Sequence, residues 1–269
     1  MSVTDRRARF RALHQREEIF LMPNPWDAGS ARLLAAAGFP ALATTSSGLA
    51  MVHGRLDQTV TRDELVAHTA VLAAATPLPL SVDAERCYPD DPGGVAETVR
   101  LLGDAGAAGL SIEDYDPAAG RIDDLEVAVA RVAAAAAAAH AESEPLVLTA
   151  RAENHFYGLG DLDDTITRLL AYRDAGADVV YAPGLLDLEA IRQVVAAVGV
   201  PVNVVALPGC PTVSDLGAAG VRRVSTGGVL ARAAYGTLVA RATELRDCGT
   251  CGYTAGVVSR ATLAAALEA

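Results

Sequence analysis

Three acidic residues have the spacing of a metal site. Asp83 and Glu85 are two positions apart, and Glu113 follows the next short apolar run that has the composition of a buried β-strand. On an extended strand end, residues two apart point to the same side, and a neighbouring parallel strand would bring Glu113 beside them. Three converging carboxylates repel one another unless a cation lies between them, and Mg²⁺, with Mn²⁺ as an alternative, prefers oxygen ligands. Otherwise these acids cap the following helices or pair with Arg86 and Arg151.

Other polar residues near strand ends could bind the anionic part of a substrate. Arg151 ends the fifth predicted strand, and its planar guanidinium suits a carboxylate or a phosphonate. Ser46, Ser47 and Gly48 follow the second strand as a small polar turn whose backbone N–H groups could hold an anion, although such turns are common without a ligand. Asn203, at the seventh strand, is a further substrate-binding candidate.

The elements that must position these residues alternate along the chain. Short apolar segments predict eight strands, at 19–22, 41–44, 79–83, 109–113, 146–151, 179–181, 202–205 and 223–225. Longer segments rich in Ala and Leu predict helices at 27–37, 62–75, 94–105, 124–140, 163–175, 188–198, 212–219 and 230–245. Several of these helices are followed by a glycine, which favours the left-handed residue that ends a helix, namely Gly38, Gly106, Gly176, Gly199 and Gly220.

This alternation predicts an α/β fold, a (β/α)8 TIM barrel, in which the loops after the strands form the active site. The 269 residues contain no linker rich in Pro, Gly or Ser, so we expect one barrel domain over residues 1–269. Residues 247–269 exceed what eight units need and predict a C-terminal helical extension. It either packs on a neighbouring subunit, as in a homo-oligomer (a dimer or tetramer), or caps its own barrel.

Composition excludes several classes of partner. The formal net charge of −11 opposes binding to nucleic acid and to anionic membranes, since both rely on basic patches. The apolar runs are far shorter than the roughly 20 residues of a membrane-spanning helix, and the first residues lack the apolar stretch of a secretory signal. We therefore expect a cytoplasmic protein that acts on a small molecule. The four cysteines do not suggest a disulfide scaffold, and we interpret Cys248 and Cys251 as incidental thiols.

An ordered set of motifs resembles the isocitrate lyase/phosphoenolpyruvate mutase superfamily. The set spans most of the chain and is far more specific than any one motif. It consists of PNPWDAGSAR at 23–32, TTSSGL at 44–49, VDAE at 82–85, SIED at 111–114, TARAEN at 149–154 and GADVVYAPG at 176–184.

The resemblance implies a Mg²⁺-dependent enzyme that makes or breaks a C–C or P–C bond beside a 2-oxo acid, through a pyruvate enolate-like species. By position, Ser47, Gly48 and Leu49 would hold the oxo acid through backbone amides, and Trp26 would line the pocket. Arg151 would bind the substrate anion. The metal and its waters would be held by Asp57, Asp83, Glu85 and Glu113.

Two departures limit what the resemblance implies. Segment 112–121 lacks the Cys and His of the lyase gating loop and the Asn- and Lys-bearing loop of the mutases. The metal loop reads DAERCYP at 83–89, so Cys87 stands at a glycine site, either as a small residue or as a proton donor. An enzyme that lacks the family acid needs a substitute, and Tyr115 and His155 are the candidates, with His53 another loop histidine near the barrel mouth.

Three functions remain in competition. The first is C–C bond cleavage or formation on a small 2-oxo or 2-hydroxy (di)carboxylic acid. The second is P–C bond chemistry, as in a phosphoenolpyruvate or phosphonopyruvate mutase or a phosphonopyruvate hydrolase. The third belongs to another class, a barrel that binds a metabolite without turning it over.

Overall fold

Eight parallel strands form one sheet that curls into a nearly closed barrel in the computed structural model, which describes residues 2–91, 93–141 and 143–268. Its hydrogen-bonded order is β1, β10, β9, β8, β7, β4, β3, β2, and the N–H of Ala43 donates to the carbonyl of Pro23 at 3.1 Å across the remaining seam. The strands are β1 (Phe20–Met22), β2 (Leu42–Ala43), β3 (Leu80–Asp83), β4 (Gly109–Glu113), β7 (Val147–Arg151), β8 (Val179–Tyr181), β9 (Val202–Val205) and β10 (Arg223–Ser225). The predicted (β/α)8 barrel is confirmed.

Helices follow the strands as the sequence predicts, and most begin with a side-chain cap. They are α2 (Ala28–Ala36), α4 (Arg62–Ala75), α5 (Gly94–Asp104), α6 (Leu125–Ala139), α7 (Leu162–Asp174), α8 (Leu188–Val198), α9 (Val213–Ala218) and α10 (Val229–Cys248). The five predicted helix-ending glycines all have positive φ, between 66° and 107°. Alanines of α6 pack on the strands in the main apolar core, which explains how a chain with 4% aromatic residues fills its interior.

Four elements were not predicted. They are α1 (Val3–His14) before the barrel, α3 (Ser46–Val52) in place of the polar turn, a hairpin of β5 (Tyr115–Asp116) and β6 (Arg121–Ile122) after β4, and a short 3-10 helix at Gly252–Gly256. Helix α1 is rich in charged residues and α3 has only seven residues, so neither offers an apolar period long enough to detect.

Helix α1 closes the N-terminal end of the barrel. Phe10 is fully buried and meets His14 and Phe20 edge to face, with ring centroids 4.7 and 6.5 Å away. This contact requires glycine at position 109, since a Cβ there would lie 2.7 Å from the Phe10 ring. Arg7 fixes the helix by donating to the carbonyls of Ala107, Gly103 and Glu144.

One row of register partners runs from the top of the barrel to its floor. Glu113 pairs with Arg151, Arg151 with Tyr181, Tyr181 with Asn203, and Asn203 with Arg223. Glu113 ends its strand whereas Arg223 begins its strand, because barrel strands are tilted and staggered. Register partners point to the same face of a sheet, so this row places polar side chains along one side of the barrel interior.

The C-terminal segment divides into two parts. Helix α10 has 20 residues, of which only Ala231 is buried, and it exposes apolar side chains such as Leu238 and Val239. Helix α11 (Arg260–Leu267) returns to pack against α2, where Arg32 Nη1 donates to the Leu267 carbonyl at 2.6 Å. Helix α11, which lies in the predicted extension at 247–269, thus contacts α2 of its own chain, whereas α10 ends at Cys248 and is exposed along most of its length. No helix of the described residues is long and apolar enough to cross a membrane.

Candidate active site

A cavity of about 400 Å³ lies where the strands end and their following loops begin. Its position is the one that a TIM barrel uses for catalysis. The predicted site residues that line it are Ser46, Ser47, Asp57, Asp83, Glu113, Arg151 and Asn203. The predicted residues that do not line it are Trp26, Gly48, Leu49, Glu85, Tyr115 and His155.

Arg151 contacts three carboxylates at once. Its Nη1 lies 2.6 Å from Asp83 Oδ1, its Nη2 3.1 Å from Glu113 Oε2, and its Nε 2.7 Å from Glu153 Oε1. Those acids come from β3, from β4 and from the segment after β7, so one guanidinium joins three parts of the chain. The three negative charges raise the pKa of Arg151 well above its ordinary value despite its burial. The alternative in which Asp83 and Glu113 pair with Arg151 is therefore part of the observed geometry.

Asp83 is fixed at the end of β3 by its neighbours. Its backbone N–H donates to Thr44 Oγ1 at 2.8 Å, and its Oδ2 accepts from the N–H of Ser46 at 3.0 Å. Ser46 is the first residue of α3, whose N-terminal amides carry partial positive charge that suits a carboxylate. The Ser46 amide is therefore occupied by a protein carboxylate.

Glu113 lines the cavity although its side chain is almost fully buried. Gln58 Nε2 donates to its Oε1 at 2.8 Å, and Arg151 holds the other oxygen. Burial, followed by the charges of Glu153 and Asp83, raises its pKa well above the ordinary value, although Arg151 and Gln58 oppose that shift. Gln58 was not predicted as a site residue, since it follows no predicted strand. Its backbone is left-handed, with φ 63°, in an exposed loop.

Glu85 and Asp57 add negative charge beside Asp83. Burial and the charges of Asp83 and Asp57 raise the pKa of Glu85 to about 8, and its Oε1 is buried without a hydrogen-bond partner among the described residues. Burial and the charge of Asp83 likewise raise the pKa of Asp57. The backbone of Glu85 is left-handed, with φ 48°, and its carbonyl accepts from the Glu113 N–H at 2.9 Å. Backbone strain of this kind costs about 1–3 kcal/mol and concentrates at functional sites.

Cys87 belongs to the apolar core. Its side chain is fully buried, its thiol lies 3.8 Å from the Val95 carbonyl, and burial raises its pKa to about 12. With φ 62°, it occupies a conformation that favours glycine. This geometry agrees with a small residue at a glycine site and gives no support to a proton donor.

The predicted anion-binding turn is the first turn of α3. The amide of Gly48 donates to Thr45 Oγ1 at 3.3 Å and that of Leu49 to the Thr45 carbonyl at 3.0 Å, so both are engaged within the helix. The Leu49 side chain lies in the core. Ser47 does face the cavity, and its hydroxyl contacts Thr45 Oγ1 at 3.0 Å.

Two glycine positions keep this end of the cavity open. A Cβ at Gly48 would lie 3.0 Å from the Cβ of Trp26, so Trp26 packs behind the turn rather than on the cavity surface. A Cβ at Gly228, in the loop after β10, would overlap the Ser47 hydroxyl. Asn24 joins the same loop to β2, because its Oδ1 accepts from the amides of Thr226 and Gly227 and its Nδ2 donates to Thr44. Asn24 was not assigned a role from sequence.

The predicted proton donors lie outside the cavity surface. Tyr115 stacks on Tyr157 with ring centroids 3.8 Å apart, and Tyr157 itself lines the cavity. His155 is half-buried, and its carbonyl accepts from the amide of Gly158. His53 is exposed at the end of α3. Tyr157 therefore lies between Tyr115 and the cavity.

Asn203 lies deeper in the barrel than Arg151, and it is hydrogen-bonded to Arg223. Its Nδ2 donates to Ser225 Oγ at 3.0 Å, and its Oδ1 accepts from Arg223 Nε at 2.8 Å. Arg223 was not predicted as a site residue because it begins its strand, and the sequence analysis placed the active site at the loops after the strands. Glu153 was also missed, although its place two residues after Arg151 was a usable signal.

Replacing Arg151 by Gln should leave three buried carboxylates without their shared positive charge. We expect the free energy of unfolding to fall by about 3–5 kcal/mol at neutral pH. The pKa values of those carboxyl groups would then lie above their unfolded-state values, so the folded variant binds more protons than the unfolded chain. The deficit should therefore shrink as the pH falls from about 8 to about 5. Urea denaturation at both pH values measures this effect.

Arg100→Gln is the matched control. Arg100 is an exposed arginine of α5 that contacts Glu97 and Asp104 on the helix surface, and its loss should change stability little. Equal losses in the two variants, or a deficit that grows as the pH falls, would contradict the role assigned to Arg151.

Comparison with known proteins shows which family this chain resembles. Residues 10–246 match the family described as phosphoenolpyruvate phosphomutase. Oxaloacetate decarboxylase of Bradyrhizobium sp. (strain ORS 278) is 31% identical over 208 residues, which cover 74% of this chain and 69% of that protein.

Two crystal structures show the same fold over almost the whole chain. A protein of Burkholderia cenocepacia J2315, provisionally assigned as a lyase or mutase, is 51% identical with a TM-score of 0.93, over 97% of this chain and 95% of that one. Oxaloacetate acetylhydrolase in complex with its product oxalate is 26% identical with a TM-score of 0.87, over 98% and 94% of the two chains. This chain therefore belongs to the phosphoenolpyruvate mutase/isocitrate lyase superfamily of lyases and mutases.

Proposed function

We propose that this chain is a Mg²⁺-dependent lyase that cleaves or forms a C–C bond in a small 2-oxo or 2-hydroxy dicarboxylic acid, through a pyruvate enolate-like species. The observation that carries this proposal is the excess of carboxylates over cations around Arg151, at the edge of a cavity of about 400 Å³. Relatives named for reactions of oxaloacetate support the C–C reading, because decarboxylation and acetylhydrolase chemistry both break a C–C bond of that acid.

The donor set fits a hard divalent cation. Burial and the charge of Asp83 raise the pKa values of Asp57 and Glu85, and Glu85 Oε1 is a buried oxygen without a hydrogen bond among the described residues. No group of three or more His, Cys, Asp or Glu side chains among the described residues could hold a metal ion by itself. Mg²⁺ would therefore bind here through one or two carboxylates and several retained waters, which is its common mode in proteins. Asp57, Asp83, Glu85 and Glu113 would hold the ion and its waters.

Arg151 and Ser47 would position the substrate in this reaction. When bound, the cation supplies Lewis-acid stabilisation of the charge that develops on the carbonyl oxygen. Arg151 uses three of its five N–H groups on protein carboxylates, and the other two remain for the carboxylate of the substrate. Ser47 also lines the cavity, where its hydroxyl can orient the same acid. Because Asp83 and Glu113 hold Arg151 in place, the guanidinium needs little reorganisation when the substrate binds.

P–C bond chemistry is the second candidate, because the matching family is described as phosphoenolpyruvate phosphomutase. A phosphonate carries more charge than a carboxylate, and Arg232 at the start of α10 is a further exposed cation on the cavity surface. The two candidates differ in their products, because C–C cleavage of a diacid gives pyruvate or glyoxylate without phosphate, whereas P–C chemistry on phosphonopyruvate gives phosphoenolpyruvate, or pyruvate together with inorganic phosphate.

Turnover of a substrate panel tests the proposal. The panel holds substituted malates, 2-oxo diacids and phosphonopyruvate, each with Mg²⁺ or with EDTA, and the readouts are pyruvate, glyoxylate and phosphate. We expect Mg²⁺-dependent cleavage of a diacid, and we expect Asp83→Asn to lower its rate about a hundredfold or more.

Asp104→Asn, an exposed carboxylate at the end of α5, is the control and should retain the wild-type rate. Turnover of phosphonopyruvate alone would select the second candidate. Tight binding of oxalate without any turnover would identify a non-catalytic barrel, and full activity in EDTA would overturn the metal site.

We also propose that α10 packs against a second copy of this chain in a homo-oligomer. Its exposed apolar side chains, among them Leu238, Val239 and Leu245, form an unusually apolar surface for a helix that projects from the barrel. Light scattering should give the mass of a dimer or tetramer for the wild type and a monomer for Leu238→Glu/Val239→Glu. A monomeric wild type would contradict this proposal.

A further inference from the structure

Arg223 is a buried cation at the floor of the cavity. Only 2% of it is exposed, yet it contributes to the cavity lining. Its hydrogen-bond partners are Asn203 Oδ1 at 2.8 Å, Thr149 Oγ1 at 2.9 Å and His14 Nε2 at 3.2 Å. None of these groups is an acid, and no carboxylate of the described residues forms an ion pair with Arg223.

His14 is neutral, so it does not balance this charge. A guanidinium has only donors, which makes His14 Nε2 the acceptor and leaves the hydrogen on Nδ1, where it is donated to the Phe10 carbonyl at 2.8 Å. Burial and the charge of Arg223 lower the pKa of His14 to about 3. Tyr181 is protonated as well, since burial raises its pKa.

The two buried arginines of the cavity differ in charge balance. Arg151 is surrounded by three carboxylates, whereas burial lowers the pKa of Arg223 to about 9 with no acid nearby to oppose it. Three of the five N–H groups of Arg223 are bonded, and two remain. A buried charge of this kind is costly unless a partner arrives, and an anion in the cavity would be that partner.

The distance between the two arginines suits a short diacid. Arg223 reaches across the barrel to Thr149, which lies two residues before Arg151 on β7 and on the same face of the strand. Two residues of a strand rise by about 7 Å, so the Arg223 guanidinium lies about that far below the level of Arg151. Tyr181 also lines the cavity, with the Arg151 guanidinium carbon 5.4 Å from its ring centroid.

We propose that Arg223, held in place by Asn203 and Thr149, forms a second anion subsite at the barrel floor that binds the distal carboxylate of the substrate. The first carboxylate of a 2-oxo diacid then lies beside Arg151, and the second pairs with Arg223 through the two remaining N–H groups. A 2-oxo monoacid leaves Arg223 without a partner, so the subsite selects diacids. This inference rests on the proposed function, since it concerns the substrate of the same cavity.

Calorimetry with Mg²⁺ present tests the subsite with two probes, pyruvate as the monoacid and 3,3-difluorooxaloacetate as the diacid. The wild type should bind the diacid more tightly than pyruvate. Arg223→Met should weaken diacid binding about tenfold or more while pyruvate binding changes less than about threefold. Arg223→Lys keeps the charge and should restore part of the preference. Arg222→Met is the matched control, because Arg222 is the adjacent arginine, donates to the Gly220 carbonyl and does not line the cavity.

The outcomes separate this inference from the proposed function. A wild type that binds both probes equally overturns the subsite even if no Arg223 variant folds, and so do equal losses for both probes in Arg223→Met. A purely structural role for Arg223 would lower the melting temperature without changing the ratio of the two affinities. A wild type that binds neither probe overturns the proposed function, and the subsite with it.

Discussion

Asp83, Glu113 and Glu153 share one guanidinium, that of Arg151, at the edge of the cavity. Each of these carboxylates would be costly to bury alone, because desolvation favours the neutral acid. Arg151 supplies a positive charge beside these carboxylates, in a place from which water is largely excluded. The same arrangement joins β3, β4 and the segment after β7. Asp57 and Glu85 lie beside Asp83, and burial together with the charge of Asp83 raises the pKa of both, although Arg151 opposes the shift. The site is thus assembled without a ligand, and its surplus of negative charge is what a divalent cation would neutralise.

The stagger of the strands explains why side chains at different depths along the barrel axis line one cavity. The register row from Glu113 through Arg151, Tyr181 and Asn203 to Arg223 descends from the mouth of the barrel to its floor. At the mouth the row carries carboxylates with a balanced arginine, and at the floor it carries an arginine without an acid. A substrate with two anionic groups and a carbonyl oxygen would meet a suitable partner at each level. Helix α1 makes the floor possible, because His14 and Phe10 close the barrel beneath Arg223.

The sequence was most informative where one physical rule acted locally. Apolar runs and helix-ending glycines located all eight barrel strands, because each pattern depends on a few consecutive residues. Fold logic also brought Asp83, Glu113 and Arg151 to one cavity. The resemblance added Asp57, which no strand end would have suggested and which does line that cavity.

The rest depended on contacts between distant segments. Arg223 starts its strand and reaches the cavity only because the barrel is tilted, so a search of strand ends passes over it. Gln58 bonds Glu113 from an exposed loop, and Tyr115 is separated from the cavity by Tyr157. The amides of Gly48 and Leu49 donate hydrogen bonds to Thr45 within α3. The sequence predicted a polar turn at this point and so did not reveal these bonds.

The central claim is that the carboxylates around Asp83 form the cation site of the cavity. A crystal grown with Mn²⁺ and oxalate would test it directly through an anomalous difference map. The account predicts one strong Mn²⁺ peak beside Asp83 and Glu85, with oxalate against it inside the cavity. Oxalate bound in the cavity with no Mn²⁺ peak beside these carboxylates, or a peak only elsewhere on the protein, would contradict the account.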